Sequence, residues 1–281
     1  ALHLGERVTE SKLTMWRRLE RKLPLQNTLL LGLYYNVLMA MLVRVGDLEA
    51  ARNAGQQSIS CFREEGHSYL EHFIHIHLAD IDVIEGRLRR ALRGLKTAER
   101  CLAQSGLTYG NEAEVIEVIR LAVAYERGEF VKVRDSSRRL RESLMNGDSW
   151  SELFFQLTRI CVLSRYFLEG LHAAQHEIEL FQADYVRRHA GRATTIDVLS
   201  AMVWRLEWNS AEAELYIEMA ADVEMHSAVG RFLLAEQRVL LQQDEPTIGD
   251  NPRAKIMSEL QMAQSQRGQA RRNSFERALS N

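Results

Sequence analysis

The sequence predicts an all-α fold, a superhelical solenoid built from helical hairpins, on three observations. Only three of the 281 residues are proline, and none lies between Pro24 and Pro246, so helices can run through that interval without interruption. The interval is rich in Ala, Leu, Glu, Arg and Gln, which favour helices, and it lacks runs of alternating β-branched residues. A glycine-centred phrase also recurs in it about every 40 residues, a period typical of stacked helix pairs.

Residues 1–25 are predicted to form an N-terminal helical cap or the end of a preceding repeat. Residues 1–20 carry charges throughout and lack the apolar core of a signal peptide. The uncharged stretch 23–43 is long enough to cross a bilayer. It also fits the repeat, and polar residues interrupt it, so we predict that the chain does not span or bind a membrane; these residues are Gln26, Asn27, Thr28 and Asn36.

Residues 26–242 are predicted to be the repeat array. The phrases around Gly46 and Gly86 share the spacing Gly-x-Leu-x-x-Ala, and Cys61 and Cys101 each lie 15 residues after one of these glycines. A third copy surrounds Gly128, and two weaker copies align with turns at 169 and 208, so that Gly170 and Asn209 lie beside them. One helix is expected before each turn and one after it. The first helices are predicted at 26–45, 69–85, 111–127, 150–168 and 194–207.

Residues 243–281 are predicted to form a C-terminal helix and linker. Pro246 and Pro252 separate this glutamine- and arginine-rich tail from the array. The segment 255–267 can form one amphipathic helix through Ile256, Leu260 and Ala263.

Charge and cysteine content limit the partners and the compartment. A formal net charge of −2 argues against binding nucleic acid through a general basic surface. Three cysteines without CxxC spacing favour neither a disulfide framework nor a zinc ribbon, so we expect a reducing, cytoplasmic location.

The histidines offer no readable catalytic or metal site. His72, His75 and His77 lie near Asp80 and Asp82, but no HExxH or Cys/His ribbon pattern accompanies them, and packing or a solvated face is the favoured interpretation. His172 and His176 are expected at the surface, and the cysteines are expected to be small buried side chains. We therefore predict that the chain is not an enzyme and has no catalytic residues, metal ligands or cofactor.

A ligand site is predicted from helix phase instead. The first helices of stacked hairpins line a concave face and place residues of similar phase side by side. Amides, charges and aromatic rings there could hold a polar ligand by hydrogen bonds and stacking. Counting back from the turns, this face collects Asn36, Asp80, Tyr125, Gln156, Arg159, Tyr166 and Arg205. A merely solvated inner surface is the alternative.

The glycine phrases resemble a tetratricopeptide-type repeat with a longer unit. This combination is similar to the sensor region of MalT-like, ATP-dependent LuxR-type transcription regulators, over about residues 26–242. The ending Ala278-Leu279-Ser280-Asn281 resembles the start of that family's DNA-binding domain. The resemblance implies an ATPase domain before the array and a helix-turn-helix domain after it. Neither a phosphate loop nor a readable DNA-recognition module occurs in this sequence.

Two functions of different classes follow. The first is an effector-sensing and interaction domain of a transcription activator, which binds a small polar effector or a protein segment and reaches DNA only through a helix-turn-helix domain outside this chain. The second is a helical-repeat scaffold that binds a peptide or protein partner, self-association included. An enzyme is a third hypothesis, without a catalytic constellation to support it.

Overall fold

The computed structural model describes residues 8–24, 26–106, 111–146, 151–188, 194–221 and 228–243. Within these ranges every regular element is an α-helix and no strand occurs, which confirms the all-α prediction. The chain forms two compact units, Ala1–Arg120 and Leu121–Asn281.

The twelve helices of the described ranges follow one another through short connections. Their bounds are α1 Glu10–Glu20, α2 Thr28–Val45, α3 Leu48–Glu64, α4 Ser68–Ile84, α5 Leu88–Gln104, α6 Asn111–Glu126, α7 Phe130–Asn146, α8 Ser151–Glu169, α9 Leu171–Arg188, α10 Thr194–Leu206, α11 Ser210–Ala221 and α12 Ala228–Gln243.

Four of the helix pairs that the repeat phrases predict pack together. In the first unit α2 packs on α3 and α4 on α5, and in the second unit α8 packs on α9 and α10 on α11. The five predicted first helices correspond to α2, α4, α6, α8 and α10 within two residues at each end. The sequence analysis did not assign α12, which ends at Gln243, the first residue of the predicted tail 243–281. The rest of that tail lies outside the described residues.

The turn glycines are explained by helix-ending hydrogen bonds. Gly46 adopts a left-handed φ of 83°, and the amide of Asp47 then donates to the carbonyl of Leu42 at 3.0 Å. The Asp47 carboxylate accepts from the amide of Ala50 at 3.1 Å and caps the next helix. A carbonyl at the end of one helix and an amide at the start of the next, both of which lack partners within their own helix, are therefore satisfied within one short segment.

The backbone bond that closes the helix at Gly46 recurs at Gly86, Gly128 and Trp208, where the next residue donates to the carbonyl five residues before it. Gly86 and Gly128 are left-handed, with φ of 72° and 73°. At the fourth predicted turn the left-handed residue is Gly170, one residue later than the aligned position 169, since α8 continues through Glu169. At the fifth turn Trp208 takes a φ of 58°, a backbone conformation that residues other than glycine rarely adopt.

Helices α2 and α3 approach each other closely in the core of the first unit. A Cβ atom added at Gly32 would lie 2.6 Å from Cε1 of Phe62, and Phe62 is fully buried. Helix α2 has the length and hydropathy of a membrane span, but its residues Leu38, Met39 and Leu42 belong to this core. The core helix of a soluble protein passes the same test, so this helix alone carries no membrane assignment.

A buried ion-pair cluster joins α3 to α4. Arg52 on α3 donates to Asp82 at 2.8 Å and also pairs with Glu85, and Arg90 Nε lies 3.3 Å from the second oxygen of Asp82. Only 3% of Asp82 is exposed. Burial raises the pKa of Asp82, although the charges of Arg52 and Arg90 act in the opposite direction. The two guanidinium groups therefore compensate a carboxylate that is costly to bury.

Candidate functional site

The seven residues predicted from helix phase are divided between the two units. Asn36 on α2 and Asp80 on α4 belong to the first unit, and both are half-buried. The other five belong to the second unit: Tyr125, Gln156, Arg159, Tyr166 and Arg205.

Tyr166 is a core residue of the second unit. Its side chain is fully buried, and its hydroxyl donates to the backbone carbonyl of Leu206 at 3.0 Å. The expectation that Tyr166 presents its ring and hydroxyl to a ligand is therefore corrected. Its position on α8 places the ring between helices of the unit. The hydroxyl provides a hydrogen-bond donor for a carbonyl at the end of α10.

The remaining residues of the second unit form internal contacts. The Arg159 guanidinium lies 5.8 Å from the ring centroid of Tyr125, a cation–π distance, and Tyr125 is itself buried against the ring of Phe130. Arg205 donates through Nε to Gln237 of α12 at 2.8 Å. The structure thus brings Arg159 and Tyr125 together, places Tyr125 in the core, and leaves Gln156 and Arg159 half-buried on one face of α8.

We expect Tyr166→Phe to lower the free energy of unfolding by about 1–2 kcal/mol, because the buried carbonyl of Leu206 loses its donor. Urea unfolding followed by far-ultraviolet circular dichroism measures this change. Tyr216→Phe, at a half-buried position of α11, is the control and should change it by less than about 0.5 kcal/mol. Unchanged stability of Tyr166→Phe, together with weakened binding of an effector, would restore Tyr166 as a ligand contact.

The first unit contains a polar cleft of about 320 Å³ that the sequence analysis did not identify. It lies where the end of α3, the start of α4 and the second half of α5 meet. Its lining residues are Arg63, Gly66, Ser68, Glu71, Thr97, Arg100, Cys101 and Gln104.

Two guanidinium groups dominate the electrostatics of this cleft. Arg63 pairs with the carboxylate of Glu71, which also lies 3.2 Å from Nε2 of His75. Arg100 donates to the hydroxyl of Thr97 at 3.0 Å, a neutral partner. Hydroxyl and amide groups of Ser68, Thr97 and Gln104 add further hydrogen-bonding capacity. The lining is suited to a polar ligand that carries a negative charge.

Burial is the main influence on the protonation of His75 and Cys101, at and beside the cleft. It lowers the pKa of His75, although the hydrogen bond to Glu71 acts in the opposite direction. Burial also raises the pKa of the Cys101 thiol, and the nearby carboxylate of Glu71 raises it further. Both side chains are therefore held in their neutral forms near neutral pH.

The sequence contained only part of the signal for this cleft. Glu71 and His75 are four residues apart on one helix, so their proximity could have been predicted. Cys101 reaches them only because α5 folds back on α4. The other histidines agree with their predicted roles: His72 is fully buried, and His172 and His176 are exposed.

Comparisons with protein-family models, with curated proteins and with solved structures found no match for this chain.

Proposed function

We propose that this chain is the effector-sensing and interaction domain of a transcription activator, and that the cleft of the first unit binds the effector. The observation that carries this proposal is the placement of Arg63 and Arg100 around one polar cleft. Their guanidinium groups, the Ser68 and Thr97 hydroxyls and the Gln104 amide can recognise a small polar molecule with a carboxylate or phosphate group.

The position of the cleft gives effector binding a way to act on the array. Arg63 ends one hairpin, whereas Ser68 and Arg100 belong to the next one. A ligand that contacts all three residues favours one arrangement of the two hairpins. An effector shifts such an equilibrium by its difference in affinity between the two arrangements.

The proposal also covers the architecture of the array, its location in the cell and its route to DNA. The hairpins continue as a superhelical solenoid of tetratricopeptide-like repeats, as in the MalT-like sensor regions that the glycine phrases resemble. The domain acts in the cytoplasm, has no catalytic activity of its own, and reaches DNA through a helix-turn-helix domain outside this chain.

Calorimetric titration of the pure chain, with a chelator present, tests the effector site. The ligands are a panel of small phosphates and carboxylates with neutral sugars as a comparison. An anionic ligand should bind, and Arg100→Met should weaken its affinity by roughly 10-fold through loss of a charged hydrogen bond. Arg159→Met is the matched control in the second unit and should leave the affinity unchanged.

Two other outcomes of this titration would count against the cleft. Loss of affinity in Arg159→Met with none in Arg100→Met would place the effector beside Tyr125 instead. Absence of binding by the whole panel would contradict the proposed chemistry of the effector.

A scaffold function is the second candidate, and exposed apolar side chains on α2 favour it. Leu30 and Leu33 are 37% and 40% exposed and lie on one face of the helix. A helical segment of a partner, or of a second copy of the chain, could cover them. Sedimentation velocity tests the self-association: a dimer that dissociates in Leu33→Lys would support the scaffold, and a monomer at all concentrations would oppose self-association through this face.

A further inference from the structure

Three side chains of types that can ligate a metal lie together beside the cleft, and two of them line it. Glu71 and His75 come from α4 and Cys101 from α5. One ligand atom from each lies within 4.8 Å of the other two. Among the described residues, these three form the group of at least three His, Cys, Asp or Glu side chains whose donor atoms lie close enough to bind one ion.

The spacing of the donors suits a tetrahedral ion. Two donors bound about 2.0–2.1 Å from one zinc ion lie about 3.3 Å apart at the tetrahedral angle. His75 Nε2 and Glu71 Oε1 are 3.2 Å apart. The helical spacing of four residues places these two donors side by side. The Cys101 sulfur lies within 4.8 Å of a donor atom of each, and rotation about its Cα–Cβ bond can bring it to the same ion.

The donor types and charges favour zinc over calcium or magnesium. A thiolate and an imidazole are ligands for zinc and related transition metals, whereas calcium and magnesium prefer oxygen. The charges of a thiolate and a carboxylate balance a divalent ion, so the loaded site is neutral beside Arg63 and Arg100. Arg63 pairs with Oε1 of Glu71, the oxygen that also faces His75, and the Arg63 side chain is 65% exposed, so it can move to the second oxygen of Glu71 or turn into solvent when an ion binds.

We propose that Glu71, His75 and Cys101 bind a zinc ion. Because Glu71 and Cys101 line the cleft, the fourth position of the ion opens into it and takes a water molecule or an anionic group of a ligand. This site departs from the expectation of a chain without metal ligands. It goes beyond the effector-sensing function and does not depend on it.

Cobalt(II) is the probe for the site, because a cobalt–thiolate bond absorbs in the near ultraviolet. The full chain, reduced and freed of metal by a chelator that is then removed, is titrated with cobalt and afterwards with zinc. A charge-transfer band that saturates at one cobalt per chain and disappears when zinc is added is the expected result. A chain without this band, and without zinc binding by calorimetry, would overturn the proposal.

Variants identify the ligands. Cys101→Ser should abolish the band, and His75→Gln should weaken zinc binding by roughly 100-fold or more, beyond the effect of disturbing an outer contact. Cys61→Ser is the matched control, since Cys61 holds the equivalent position of the preceding hairpin outside the cluster, and it should leave the band intact. Loss of the band in Cys61→Ser but not in Cys101→Ser would overturn the assignment.

The variants must remain folded for this test, which far-ultraviolet circular dichroism checks. If Cys101→Ser unfolds, Glu71→Gln and His75→Gln decide: unchanged zinc affinity in both folded variants would refute the site.

Discussion

Replacing Phe62 with alanine should lower the free energy of unfolding by about 3–5 kcal/mol. The ring is fully buried at the contact between α2 and α3, where Gly32 allows the helix backbone of α2 to approach it closely. Because both helices have other core contacts that hold them in place, the structure can collapse only partly into the cavity. Urea unfolding followed by circular dichroism measures the loss.

The half-buried Cys61, next to Phe62 on the same helix, supplies the control. Cys61→Ala should cost less than about 1 kcal/mol, because it deletes one partly solvated sulfur atom. Gly32→Val provides a complementary test, since its added atoms would overlap the Phe62 ring and should destabilise the chain by about 1–3 kcal/mol. A tolerated valine at position 32 would contradict the close approach of α2 and α3.

The second large effect is expected for Arg52→Met, which should lower the free energy of unfolding by about 3 kcal/mol at neutral pH. Removing one partner of a buried ion pair leaves charge without its full compensation, here the carboxylate of Asp82. Arg90 remains beside that carboxylate, so the loss should stay at the lower end of the range for such changes. Arg93→Met, at an exposed position of α5, is the control and should have little effect.

Acidification should reduce the deficit of Arg52→Met. Burial already raises the pKa of Asp82 in the folded chain, and loss of Arg52 removes a charge that lowers it, so the pKa rises further. The folded variant then binds a proton at a higher pH than the unfolded chain does, and its stability relative to wild type increases as the pH falls from 7 toward 5. A deficit that is constant across this range would show that lost packing, not the charge, causes it.

The sequence predicted the helices well because their ends are determined locally. Gly46 and Asp47 close one helix and cap the next through atoms that lie within five residues of them. The absence of proline, the residues that favour helices and the spacing of the glycines all act on the backbone within a few residues, so they can be read from the sequence. The turn at Trp208 was also placed correctly, although the residue that adopts the left-handed conformation is not glycine.

The candidate site was less predictable because burial depends on residues that are distant in sequence. Phase within a helix shows which residues share a face, but not whether solvent or another helix covers that face. Tyr166 is covered, and its hydroxyl partner Leu206 lies 40 residues away in sequence. The cleft likewise requires Cys101 beside Glu71, a proximity that follows from the packing of α5 on α4 and from no feature of either segment alone.

The self-contained turns also bear on how such a chain can grow. A turn whose hydrogen bonds stay within its own few residues does not depend on the identity of its neighbours, as the matching closures at Gly46, Gly86 and Gly128 illustrate. A duplicated hairpin would therefore form the same turn at a new position in the chain. Only the side chains that face neighbouring hairpins would need to adapt, so the surface between two hairpins can change in sequence without affecting the turns.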